Sequence, residues 1–278
     1  MRKLLVAPIF SMICILLTAS IGNGQHHFEI TPSISVSGEY DDNIYLDPDD
    51  EVSDYITTVT PRLSLALVTQ HTRLEAAYSP SFVWYNDEDE NNTTRHEGSL
   101  TYGQQLGRYL RLDISDTFIK SEEPLETTEG IVGVRHTRES YWRNTGEGSI
   151  TYQFGAENTL SAGYRQSYLQ NDDPTVDDGR DQTLFGNIVF WINERNGLSF
   201  GYGYTRADFW RQEGLAGDDY VSHEATARYT HRFGPHVSTW IQYLYLDTNF
   251  DGQEEDYWIS EATLGYEHTF SPRLSLSM

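Results

Sequence analysis

Carboxylates in clusters are the groups in this chain best able to do chemistry. Asp41, Asp42, Asp47, Asp49, Asp50, Glu51 and Asp54 form one cluster, and Asp87, Glu88, Asp89 and Glu90 form a second. Glu122, Glu123, Glu126 and Glu129 follow, then Asp172, Asp173, Asp177 and Asp178, and last Asp251, Glu254, Glu255 and Asp256. Grouped carboxylate oxygens suit hard cations, so these segments can take Ca²⁺ or Mg²⁺, alone or as bridges to anionic lipopolysaccharide. They also form a solvated, self-repelling surface, and around a pore such a rim raises the local cation concentration. One spacing comes closer to a cation loop: Asp247, Asn249, Asp251 and Gly252 read DxNxDG. Six residues after that glycine, where a bidentate glutamate belongs, stands Trp258, so the match is weak. Glu254 and Glu255 are its substitutes, giving Asp247, Asn249, Asp251, Glu254 and Glu255 as the candidate metal set.

Other chemistry is poorly supplied. There is no GxSxG, no HExxH and no histidine cluster, so catalysis is not expected. Cys14 is the single cysteine. It lies in an N-terminal segment of signal-peptide type: Arg2 and Lys3, an apolar run from Leu4 to Leu17, then small residues up to Gly24. Residues 1–24 are therefore expected to be removed, leaving 25–278 as one domain without thiol chemistry. Removing Arg2 and Lys3 moves the net charge from −23 to about −25, which excludes nucleic acid as a partner.

The elements that must carry these groups are strands. Tyr55, Val59, Pro61, Leu63, Leu65 and Leu67 share one parity, while Thr58, Thr60, Arg62 and Ser64 hold the other. Leu74, Ala76, Tyr78, Pro80, Phe82 and Trp84 repeat the pattern against Glu75, Ala77, Ser79 and Ser81. Further instances set Leu110, Leu112 and Ile114 against Arg111 and Asp113, and Leu198, Phe200 and Tyr202 against Ser199 and Gly201. The full reading gives strands at 28–40, 55–68, 73–85, 96–106, 109–120, 138–154, 159–170, 181–192, 197–209, 220–233, 237–248, 257–270 and from 273 onward.

Short connections carrying Gly, Pro or Asn alternate with long acidic ones, as in an up-and-down antiparallel transmembrane β-barrel. On that reading one parity meets lipid and the other the lumen, and a negative mean hydropathy is no obstacle. A soluble sandwich or propeller is the all-β alternative, but charges at regular alternate positions fit its buried face poorly. Short turns belong to the periplasm and long loops to the exterior, so the mature chain starts inside. Aromatics gather at both strand ends, from Trp84, Tyr85, Tyr141, Trp142, Phe209, Trp210, Tyr220, Tyr257 and Trp258 to Tyr102, Tyr152, Trp191 and Phe270, as two interfacial belts would. The lumen candidates are Arg62, Arg73, Glu75, Arg111, Asp113, Arg165, Glu224, Arg228, Glu261 and Glu267, with both signs present for cross-strand ion pairs.

The opening of the mature chain, Ile30 to Ser37, then Tyr40, Asp41, Asp42, Asn43 and Ile44, then Thr60, Pro61 and Arg62, resembles the putative β-barrel porin 2 family and the outer-membrane barrels associated with exopolysaccharide systems of Gram-negative bacteria. The resemblance implies an outer-membrane barrel and brings no catalytic residues across. Family members are longer, and single-chain bacterial barrels have even strand numbers. About 12–14 strands are visible, and the run Leu274, Leu276, Met278 ends in mid-alternation, so a fragment lacking its final strand or strands is expected.

Together these readings point to an outer-membrane channel, porin-like or associated with polysaccharide export, whose acidic loops favour cations. The alternatives are a structural or adhesive barrel working through its loops, and a lipid- or peptide-modifying enzyme. Expected partners are outer-membrane lipid and lipopolysaccharide, the barrel-assembly machinery and polysaccharide-export proteins; no cofactor is expected beyond Ca²⁺ or Mg²⁺ at the loops.

Overall fold

A period of two in hydrophobicity dictates an extended strand with unlike faces, and the computed structural model contains thirteen such strands. It describes residues 27–45, 49, 51–122, 139–215, 217–271 and 274–277. The strands are β1 (His27–Asp41), β2 (Asp54–Val68), β3 (Thr72–Tyr85), β4 (Thr93–Gln105), β5 (Leu110–Ser121), β6 (Tyr141–Gln153) and β7 (Thr159–Asn171). They continue with β8 (Asp178–Trp191), β9 (Asn196–Trp210), β10 (Tyr220–Gly234), β11 (Val237–Phe250), β12 (Tyr257–Ser271) and β13 (Leu274–Ser277). All belong to one sheet whose spatial order is the chain order, each strand antiparallel to the next. Among the described residues no ladder joins β1 to β12 or β13, and both faces of β1 are exposed. The signal-peptide reading and the carboxylates Asp47, Asp50, Glu123, Glu126 and Glu129 lie outside the described residues.

The register fixes which residues share a face. Phe28 opposes Leu67, Ile30 opposes Leu65, Pro32 opposes Leu63 and Ile34 opposes Pro61. The same apolar face continues through Leu74, Tyr102, Leu112, Ile150 and Leu160 on the strands that follow. It is solvent-accessible: Ile34 and Val36 are 68% exposed and Leu264 76%. Most of the buried residues, among them Ile56, Val83, Tyr85, Leu169 and Ala207, sit on the opposite parity, which marks that side as the concave one. A soluble sheet would bury its apolar face, so an apolar convex face belongs against hydrocarbon.

The apolar band is tall on β1–β3 and shorter on β5–β9. Over their outer halves the convex face carries Asp116, Gln166, Gln182, Arg180, Arg206 and Asp208. Most of this polarity is paired internally: Asn144 Nδ2 donates to Asp116 at 3.0 Å, and Asp208 accepts from Arg180 at 2.7 Å and from Arg206 at 3.0 Å, while Arg180 Nε is buried without a partner among the described residues. Charge on a lipid face costs less the nearer it lies to the interface, and the four strand ends concerned, of β5, β7, β8 and β9, lie beside the long loops.

Turn chemistry explains the short connections. Thr69 Oγ1 accepts the backbone N–H of Thr72 at 2.9 Å, and Asn193 Oδ1 accepts those of Arg195 and Asn196, both at 3.0 Å. Gly107, at φ +136°, occupies a backbone region that side-chain-bearing residues avoid, between β4 and β5.

Candidate functional site: the concave face and its outer mouth

All ten charged residues expected in the lumen fall on the concave face. Several are tied in ion pairs. Arg73 meets Glu75 and Arg111 meets Asp113, both at 2.6 Å, and Arg165 on β7 meets Glu147 on β6 at 2.8 Å. Near the outer end Arg95 meets Glu122 at 2.6 Å. Arg62 instead donates to Ser64 at 3.3 Å and Ser79 at 3.4 Å. Glu224, Glu261 and Glu267 share this wall and are exposed. Pairs two residues apart on one strand, as in Arg73–Glu75, can be read from sequence; Arg165–Glu147 needs the register.

Three aromatic side chains line the concave face in one recurring arrangement. Phe185 lies directly across from Gly163, Trp191 from Gly197 and Trp240 from Gly265. In each pair the ring occupies the space a Cβ on the glycine would need, which restores packing that a strand glycine lacks. Each ring also carries a guanidinium: Arg165 over Phe185 at 5.9 Å, Arg232 over Trp191 at 3.6 Å and Arg228 over Trp240 at 4.2 Å. These aromatics face inward, so Trp191 does not belong to the lower belt expected of it.

Arg232 is further bound by Glu157, in the β6–β7 turn, at 2.7 Å and 3.0 Å. Hydrogen bonding from Arg232 holds the Glu157 carboxyl below its ordinary value. A depressed pKa means the folded state gains from the ionised form. That contribution is complete above the ordinary carboxylate range and is lost as pH falls through the lowered value. Glu157→Gln is therefore expected to unfold more readily than the parent near neutrality and no more readily in acid, checked by denaturant midpoints across that pH range.

The outer ends hold adjacent aromatic pairs, and alternation splits each pair between the faces. Trp84, Trp142, Trp210 and Trp258 point outward; their neighbours Tyr85, Tyr141, Phe209 and Tyr257 point inward. The outward set forms a belt, with Trp142 stacked on Tyr168 at 4.7 Å. The inward set departs from the interfacial expectation. Phe209, Tyr220, Phe250 and Tyr257 form a row of rings across β9–β12, with centroids 6.2, 5.5 and 6.1 Å apart.

Above the row the acidic loops grip one another. Asp218 Oδ2 accepts the backbone N–H of Glu254 at 2.6 Å and that of Gln253, and Asp251 N donates to Asp219 O at 2.8 Å. Arg211 reaches Asp177 at 2.8 Å, joining the loop before β8 to the same collar. Of the candidate metal set, Asp247 stands on the convex face of β11 and accepts from Asn249 at 3.2 Å, while Asp251, Glu254 and Glu255 lie in the loop. Among the described residues no three His, Cys, Asp or Glu side chains gather as a metal site.

On the far side of the mouth the loop after β1 folds inward. Ile44 is 1% exposed and packs on Ile56, Val83 and Tyr85, with Val52 alongside. Asp54, also 1% exposed, takes four backbone N–H groups on its carboxylate: Tyr55 at 2.6 Å, Asn86 at 3.1 Å, Asp87 at 3.1 Å and Glu88 at 2.9 Å. The most acidic segment thus contributes one carboxylate whose task is to fasten the β3–β4 loop. A cavity of about 230 Å³ opens beside it, lined by Tyr45, Tyr85, Asn91 and Glu122 among others.

A family model described as Putative beta-barrel porin 2 matches residues 19–183, more than half of the chain. No curated protein matches. Among solved structures, in-vitro folded OmpT, an outer membrane protein of Vibrio cholerae, is similar over 87% of this chain and 95% of its own, at 9% identity and a TM-score of 0.46. An outer membrane channel from Pseudomonas putida F1 is similar over 89% and 96%, at 12% identity and a TM-score of 0.44. A deletion mutant of the TodX monoaromatic hydrocarbon channel is similar over 91% and 83%, at 14% identity and a TM-score of 0.44.

Proposed function

The chain belongs to the Putative beta-barrel porin 2 family, an outer-membrane β-barrel family, and from that premise we propose that it is a channel serving polysaccharide export, with an acidic outer mouth that favours cations. The observation that carries the reading is the division of the sheet into an exposed apolar face and a concave face of ion pairs and hydroxyls. A wall of that kind is stable against water in a way that an adhesive barrel with a packed interior does not require.

Cation preference follows from the mouth. Asp172, Asp177, Asp218, Asp219, Asp251 and Glu254 surround it, while Arg211 is bound to Asp177. Carboxylates at a constriction raise the concentration of counter-ions entering it. The polysaccharide link is supported by the inward row of rings. Lipid explains aromatics on the convex face, whereas rings on a water-facing wall suit the apolar faces of sugar rings.

The test is reconstitution of the protein in planar bilayers. A steady open current is expected, with reversal potentials on the cation side in a salt gradient, and neutral oligosaccharides should reduce the current reversibly. Tyr220→Ala and Phe250→Ala should each weaken that reduction several-fold. Absence of current defeats the channel reading, and an anion-side reversal potential defeats the cation preference.

A further inference from the structure

We infer that Arg228, seated on Trp240, is a receptor for an anionic group, the carboxylate or phosphate of a solute in the lumen; the inference rests on the channel reading above. Arg228 stands opposite Gln242 and Trp240 opposite Gly265, which places both on the concave face well below the mouth. The ring lies over Gly265 in the space of the missing side chain, so its position is set by the wall. The guanidinium carbon sits 4.2 Å from the ring centroid. Such stacking uses a face of the guanidinium and none of its five N–H donors.

The other two ring-and-glycine units show what those donors do elsewhere. Arg165 gives them to Glu147 and Arg232 gives them to Glu157. Among the described residues Arg228 forms no ion pair and no hydrogen bond, although Glu224 and Glu261 share its wall, and its Nε is buried without a partner. A charged donor out of contact with water and without an acceptor is costly. With the faces stacked, what remains is the planar rim, whose paired N–H groups match two oxygens of one carboxylate or phosphate. Partial desolvation strengthens such a bond over one made in open water. The acidic mouth and this receptor act on different scales, one on the mobile ions at large and the other on an oxyanion that can accept two bonds at once.

The experiment uses the full chain in planar bilayers with glucuronate, inorganic phosphate and glucose as probes. Glucuronate or phosphate should reduce the current saturably, glucose should do so independently of Arg228, and whichever anion acts identifies the group as carboxylate or phosphate. Arg228→Gln should weaken the anion effect by about tenfold or more. Arg228→Lys, which keeps the charge and loses the fork, should fall between the two. Lys120→Gln removes the same charge from the convex face and should change nothing. If the glutamine variant does not assemble, Trp240→Phe supplies the test, since a smaller platform should weaken the effect without removing the charge. An anion effect that is equal in the parent and all Arg228 variants, or no anion effect at all in a conducting parent, overturns the receptor. Calorimetry in detergent separates the two readings: a barrel that passes no current yet binds the anion through Arg228 loses the channel and keeps the site.

Discussion

Leu63→Arg is expected to destabilise the barrel by about 2–4 kcal/mol in lipid, whereas Ala66→Arg, three residues further along the same strand, is expected to change stability little. Leu63 lies near the middle of β2 on the convex face, between Pro32 and Tyr78, and is 47% exposed. In water a half-exposed leucine accepts arginine at almost no cost, because the new charge stays hydrated. At the centre of a bilayer the same change strands a guanidinium in hydrocarbon. Ala66 points to the other face and sits directly between Glu29 and Glu75, so an arginine there meets two carboxylates. Denaturant unfolding from vesicles would measure both. Equal effects at the two positions would mean that the faces do not differ in their surroundings, and the membrane assignment would go with them.

The period of two made this contrast legible before any coordinates. It gave all thirteen strands and put the ten charged residues expected in the lumen on one side, because parity survives uncertainty in strand ends. Residues such as Asp178 and Thr93 lie outside the expected strands yet inside the observed ones, a matter of two or three positions that moves no side chain to the other face. The aromatic pairs were harder. Phe209 and Trp210, or Tyr257 and Trp258, look alike as members of a belt, and only the ladder decides that tryptophan faces out and its neighbour in. The indole suits an interface that is apolar on one side and wet on the other, which gives the choice a physical reason that composition alone does not contain.

Contacts between distant strands and loops were not legible at all. Nothing in the spacing of Gly163, Gly197 and Gly265 announces that each accommodates a ring from a neighbouring strand. The acidic loops read as free carboxylates, but Asp54 and Asp218 spend theirs on backbone N–H groups 32 to 36 residues away. A carboxylate so engaged is no longer available to a cation, and the residues spaced as DxNxDG are kept apart because Asp247 stands on the convex face of β11 while Asp251 lies in the loop beyond it. Charge density along a chain counts groups; their use depends on which loop arrives beside them.

The second large effect concerns the loop after β1. Ile44 is the most buried of that loop's described side chains, and its packing against Ile56, Val83 and Tyr85 holds it over the concave face, with Ile44 N donating to Val52 O at 2.9 Å. Truncating a fully buried isoleucine to alanine costs about 2–5 kcal/mol where the site cannot collapse. Here the cost falls on docking of one loop rather than on the sheet, because the strand ladders do not pass through Ile44. Ile44→Ala is therefore expected to leave the thermal unfolding of the barrel nearly unchanged while the loop becomes readily cleaved by added protease. The open current should rise, since a segment that lay inward over the mouth is released. Tyr45 strengthens the argument: its hydroxyl contacts Glu88 at 3.3 Å and Asn91 at 3.0 Å, so the loop has polar anchors that survive the substitution and hold it loosely near the rim. A rise in current together with new cleavage identifies an inward loop that narrows the passage. Unchanged current alongside new cleavage would show that the loop is only fastened at the rim and leaves the conducting path clear.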